Sequence, residues 1–102
     1  MTKPFAKSVC QEADEIVSGE RRSDYGHPSD EFKQVSQMWS AITGVEINSR
    51  QVGLMMICLK VVRENHKHKR DNLVDIAGYA KTVELVEESF FREAFNNENY
   101  RG

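Results

Sequence analysis

Only two prolines, two cysteines and six glycines occur in 102 residues, and no apolar run approaches the roughly 20 residues of a membrane span. The N-terminus also lacks the apolar core of a signal peptide, so the expected location is the cytoplasm. Cys10 and Cys58 stand far apart at apolar helical positions, which predicts reduced core thiols and not a disulfide framework. His66 and His68 are spaced i,i+2 and fall on different helix faces. With no cysteine or third histidine at ligand spacing, zinc is excluded. A net charge of −2 leaves no broad basic face, which argues against duplex nucleic acid as a partner. No P-loop, GxGxxG, HExxH or CxxC occurs, and nothing resembles a Ser-His-Asp arrangement.

Strand-like alternation is missing too, and what remains has helical periodicity. Phe5, Val9, Ala13, Ile16 and Val17 predict a helix near 4–18, stopped by Gly19. Residues 20–28 carry no apolar face and contain Tyr25-Gly26-His27-Pro28, the pattern of a structured loop. Ser29 reads as an N-cap, with Asp30 and Glu31 in the first turn. Phe32, Val35, Trp39 and Ile42 then make a second apolar face ending at Gly44. Asn48 and Gln51 form a capping-box pair for a third helix over about 49–66, with Val52, Met55, Met56, Leu59 and Val62 inward. Asp71 caps a fourth helix, with Leu73, Ile76, Ala77, Ala80, Val83 and Val86 inward, running to about Phe95. The fold class is all-α, a compact bundle of about four helices. Residues 1–95 form one domain, and 96–102 read as a flexible tail. So small a chain has little buried area, and Phe90, Phe91 and Phe95 face more than one side of the last helix. Homo-oligomerisation is therefore expected.

The functional lead is a run of charge. Seven of the eleven residues from Lys60 to Arg70 are basic or become so on protonation: Lys60, Arg63, His66, Lys67, His68, Lys69 and Arg70. Lys60, Arg63 and Lys67 form one row on the third helix, and three cations in a row repel unless solvated or met by an anion. Arg63 suits bidentate contact with phosphate, and Lys60 a point-charge contact. Asp71, Asp75 and Tyr79 lie at i, i+4 and i+8 on the next helix. Asp75 is then a reader of a ribose hydroxyl or base edge, or a metal ligand. The alternative is an interhelical salt-bridge cluster in which Lys60 and Arg63 neutralise Asp71 and Asp75. Gly78, in mid-helix, signals close approach by a helix or ligand, since it costs roughly 1 kcal/mol relative to alanine. In the loop, Tyr25 is placed to stack on a base and Arg21 to meet phosphate. The candidate ligand-binding set is Arg21, Tyr25, Lys60, Arg63, His68, Asp75 and Tyr79, and the ligand a nucleotide-like small molecule.

Gly19-Glu20-Arg21, Tyr25-Gly26, Phe32, Trp39, Leu59-Lys60, Arg63 and Asp75-Ile76-Ala77-Gly78-Tyr79-Ala80 together resemble a family of small phage and prophage proteins of unassigned function. The resemblance spans residues 12–86. It departs at Asp30-Glu31, where that family carries an asparagine before the aromatic. A phage-type resemblance implies sequestration of a host signalling nucleotide as one role. The layout also resembles, more distantly, the MazG-like all-α nucleotide pyrophosphohydrolases, which hold Mg²⁺ with one E-x-x-E and one E-x-x-D pair. Asn72-x-x-Asp75 stands for the second pair. For the first, Glu31-x-x-Gln34 is half a match, and Glu84-x-x-Glu87 lies on the same helix as Asp75. A Mg²⁺-dependent hydrolase is thus the alternative to a binder that needs no cofactor and carries no catalytic residue. A helical module that binds another protein is the third reading.

Overall fold

The computed structural model describes residues 6–101, apart from the side chains at 20–22 and 97–101. It is an all-α bundle of four longer helices and one short one: α1 (Val9–Ser18), α2 (Glu20–Tyr25), α3 (Pro28–Thr43), α4 (Ser49–His66) and α5 (Arg70–Arg101). α5 is the spine. It packs along α4 and α1 and, less extensively, against α3.

Local chemistry sets the helix ends. Ser8 accepts from the Gln11 amide at 3.1 Å while its own N–H donates to Gln11 Oε1 at 2.9 Å, so α1 opens on a capping box. The helix therefore begins about one turn after the expected start near residue 4, and Phe5 lies outside the described residues. Residues 20–25 form a helical turn and a half where a loop was expected, because the chain leaves α1 through Gly19 without a left-handed reversal (φ −101°). The cap of α3 is His27, not Ser29. Its Nδ1 accepts from the Ser29 amide at 3.1 Å, and Pro28 takes the first helical position, where a missing N–H costs nothing. Gly44, at φ 72°, closes α3 in the left-handed conformation. The Asn48–Gln51 box stands as expected, with bonds of 2.8 and 3.0 Å. The last helix passes the expected end near Phe95 and continues to Arg101.

The core is thin. Phe32, Val52 and Val86 are buried together, with Val35, Trp39, Ile47 and Tyr79 packed around them; Ala13, Val17 and Val74 are buried between α1 and α5. Gly53 lets the two long helices touch, since a Cβ there would press on Val83 Cγ2 and lie 3.3 Å from Phe32 Cε2. Buried Ser36 and Thr82 return their hydroxyls to their own helices, donating to Lys33 O at 2.7 Å and Gly78 O at 2.9 Å.

Several expected core positions face outward. Ile42 is 77% exposed and Val62 67%, and Met55, Leu59, Leu73 and Ala80 are exposed as well. For Met55, Leu59 and Val62 the reason lies in α4, which is apolar over most of its circumference between residues 52 and 62. Val52, Gly53, Met56 and Ile57 turn toward α5 and α3, so the remaining apolar residues face away. Cys10 and Cys58 are free, as expected, but exposed, so neither is a core thiol.

Candidate functional site

Lys60 and Asp75 meet across the α4–α5 seam. Lys60 Nζ lies 2.9 Å from Asp75 Oδ2, with the lysine side chain 15% exposed and the carboxylate 41%. This is the salt-bridge arrangement of the basic row. Among the described residues Arg63 makes no ion pair with Asp71 or Asp75, and both Arg63 and Asp71 are exposed. His68 is not part of this constellation. Its Nδ1 lies against Glu64, whose other carboxylate oxygen accepts from the Lys69 amide at 2.9 Å and from Asn72 Nδ2 at 3.2 Å. The bond to His68, and after it the Lys69 N–H, holds the Glu64 carboxyl below the usual carboxylate range. Glu64 is therefore the hub of the three-residue turn into α5.

Tyr79 belongs to the core margin, its ring tilted 34° to Phe32 at a centroid distance of 6.4 Å. With Asp75, Gly78 and Val17 it lines a hollow of about 50 Å³ between α1 and α5, too small for a nucleotide. Gly78 is no point of forced approach: a Cβ there would find Val17 Cγ2 at 3.6 Å, an ordinary contact. Tyr25 is exposed at the end of α2, a helix that packs on α1 and α3. The Arg21 side chain lies outside the described residues. The fold thus joins Lys60 to Asp75 and Asp75 to Tyr79, and leaves Arg63, His68 and Tyr25 apart from them.

The larger opening lies at the other end of α4. A groove of about 620 Å³ runs between the first turns of α3 and α4 and the outer half of α5. Ser29, Asp30 and Lys33 come from α3, Asn48, Ser49 and Arg50 from the start of α4, and Val86, Glu87, Ser89, Phe90, Phe91 and Glu93 from α5. Arg50 Nε donates to Glu87 Oε1 at 2.8 Å, and Ser89 and Ser29 hydroxyls sit 3.3 Å apart, pinning the walls. Phe90 and Phe91 stand edge to face at 6.1 Å and remain 67% and 69% exposed. Ten residues along α4 place Arg50 about 15 Å from Lys60. Cations, carboxylates, hydroxyls and aromatic rings face one space here, and two helix N-termini add positive potential.

Sequence reasoning missed this groove. The cap of α4 was legible, but the convergence of two helix starts on residues 86–93 depends on how far α5 runs past them.

The Mg²⁺ arrangement of the pyrophosphohydrolases has no counterpart in the seam. Asn72 is buried with its amide on Glu64, and the Lys60 ammonium occupies the Asp75 carboxylate, where a divalent cation would meet like charge. Among the described residues no three His, Cys, Asp or Glu side chains gather to hold a metal ion.

This architecture defines a small helical protein with an open groove. Residues 8–87 match the family described as a domain of unknown function, DUF6378, and the chain belongs to that family. It is 36% identical over 85 residues to the Gene 55 protein of Mycobacterium phage D29, covering 82% of this chain and 56% of that protein. To the Gene 55 protein of Mycobacterium phage L5 it is 40% identical over 83 residues, covering 78% of this chain and 53% of that protein. The chain thus spans about half the length of these curated relatives. No solved structure matches it. Among the described residues no helix is long and apolar enough to cross a membrane.

Proposed function

We propose that this phage-family protein binds a nucleotide-like ligand without turning it over, in the groove between the starts of α3 and α4 and the outer half of α5. The observation that carries the reading is the groove itself, a 620 Å³ opening in which Lys33, Arg50, Asp30, Glu93 and the faces of Phe90 and Phe91 converge. A nucleotide presents the three matching chemistries. Its phosphate suits Lys33, Arg50 and the first-turn N–H groups of α4. Its base suits an exposed phenylalanine ring, and its exocyclic amines suit a carboxylate. A volume of this size is typical of small-molecule sites. Sequestration of a host signalling nucleotide is the role that fits a phage protein with such a groove.

Calorimetric titration with a panel of mono-, di- and cyclic nucleotides tests this. Arg50→Ala should weaken binding by about 1.5–3 kcal/mol, and Phe91→Ala by about 1–3 kcal/mol. The bound nucleotide should be recovered unchanged after heat release in the presence of Mg²⁺. Arg63→Ala should leave affinity intact; if it abolishes binding while Arg50→Ala does not, the ligand sits on the basic row instead. No heat from any nucleotide would reject the reading in favour of a protein-interaction module, which the exposed Phe90, Phe91 and Phe95 also support.

A further inference from the structure

The groove holds little positive charge for a ligand that carries phosphate. Its charged lining is Asp30, Glu87 and Glu93 against Lys33 and Arg50, one carboxylate in excess. Arg50 is tied to Glu87 at 2.8 Å, which leaves Lys33 as the groove's unpaired cation among the described residues. The start of α3 offers no free amide. Pro28 has none, the Ser29 N–H donates to His27 Nδ1, and those of Asp30 and Glu31 donate to His27 O. At α4 the Gln51 and Val52 amides turn back on Asn48, whereas those of Ser49 and Arg50 have no partner within the helix. Lys33 and these two amides suit one phosphate. Each further phosphate would add to an excess of negative charge.

Glu93 bears on the base. Its neighbours one turn away on α5 are Ser89, Phe90, Asn96 and Asn97, none of them a cation, and it makes no ion pair or hydrogen bond among the described residues. Asp30, in contrast, has Lys33 one turn along its own helix. Phe90, three residues before Glu93, puts an exposed ring on the same side of α5, and Phe91 stands edge to face against that ring. An ionised carboxylate only accepts hydrogen bonds. Guanine alone among the common bases carries two adjacent donors, N1–H and the N2 amine, on its pairing edge. Adenine and cytosine set one amine beside a ring-nitrogen acceptor, and uracil sets its N–H between two carbonyls. Stacked on Phe90, guanine gives both donors to Glu93. Six residues along α5 place Glu93 about 9 Å from Glu87, which Arg50 ties to the start of α4. That span is comparable to the separation of phosphate from base edge in a nucleotide. Given that the groove is a nucleotide site, as proposed above, we infer that it selects a guanine nucleotide with a single phosphate, and that Glu93 reads the base.

Calorimetric titration of the full chain with GMP, AMP and GTP tests this. The wild type should bind GMP about ten- to a hundredfold more tightly than AMP, the range that one bidentate base contact supplies. It should bind GTP no more tightly than GMP. Glu93→Gln should lose the margin for GMP and gain affinity for AMP, because an amide offers one acceptor and one donor, the pattern of the adenine edge. Glu88→Gln, exposed on α5 outside the groove, should keep the guanine preference. Far-ultraviolet circular dichroism of both variants should match the wild type, and the wild-type comparison decides the selectivity without them. If AMP binds as tightly as GMP and Phe91→Ala weakens both, the groove holds nucleotides and the guanine selectivity falls. A GMP preference that survives Glu93→Gln would remove Glu93 from base reading, and tighter binding of GTP than of GMP would reject the single phosphate. Binding of no nucleotide would overturn the groove reading and this inference with it.

Discussion

At Gly53 a hydrogen atom stands where any other residue would drive a methyl group into Val83. The β-branched Val83 has few rotamers to yield into, and Phe32 closes the other side with its Cε2 3.3 Å from the added carbon. Gly53→Ala should therefore destabilise despite alanine's better helix propensity. Overpacking costs about 1–3 kcal/mol, against a propensity gain of about 1 kcal/mol. Gly78 is the opposite case. Its added Cβ would meet only Val17 Cγ2 at 3.6 Å, so Gly78→Ala should stabilise by up to about 1 kcal/mol. Urea denaturation midpoints of the two variants check both signs. The sequence alone drew attention to the wrong glycine, because mid-helix position is visible in one dimension and a neighbour from α5 is not.

Between elements, the turn from α4 to α5 depends on Glu64. Its carboxylate receives the Lys69 amide and the Asn72 side chain while facing His68. These contacts favour the ionised form and hold its folded value below the unfolded one. The sign follows directly. The contribution to stability is full above the ordinary carboxylate range and is lost as pH falls through the lowered folded value. Glu64→Gln should cost stability near neutral pH, and the gap in urea midpoint should narrow as pH falls through the lowered folded value. A gap independent of pH would mean that the carboxylate charge is irrelevant. Much of the element layout was legible, since the Asn48–Gln51 box, the Gly44 stop and the helical periods are local chemistry. The Lys60–Asp75 pairing was legible as one of two readings, from i,i+4 spacing and antiparallel packing. The groove was not, because Arg50–Glu87 and Ser29–Ser89 join residues 37 and 60 apart in sequence. Nor did apolarity tell inward from outward on α4, where both sides qualify.

As a whole, the molecule measures 59 × 32 × 21 Å, with a Cα radius of gyration of 16.1 Å. A compact chain of this length would have about 13 Å. The difference comes from α5, whose 32 residues reach about 48 Å. Such a shape leaves few residues deep inside, and the α1–α5 contact leans on charge: Glu12 with Arg70, and Asp14 with Lys81, which also donates to Ser18 at 2.7 Å. The Glu64 turn has a bearing on the order in which this shape is assembled. Only residues 67–69 separate α4 from α5, so closing that hairpin loses little chain entropy, whereas Glu12 and Arg70 must meet across 58 residues. The hairpin should stand in the folding transition state, with α1 docking afterwards. In stopped-flow measurements Glu64→Gln should then slow folding, while Glu12→Gln should mainly speed unfolding. The reverse pattern would place the first event at α1. A hairpin that closes first also presents the apolar outer face of α4 to solvent before the rest of the chain is in place, so at high concentration refolding and aggregation compete in time.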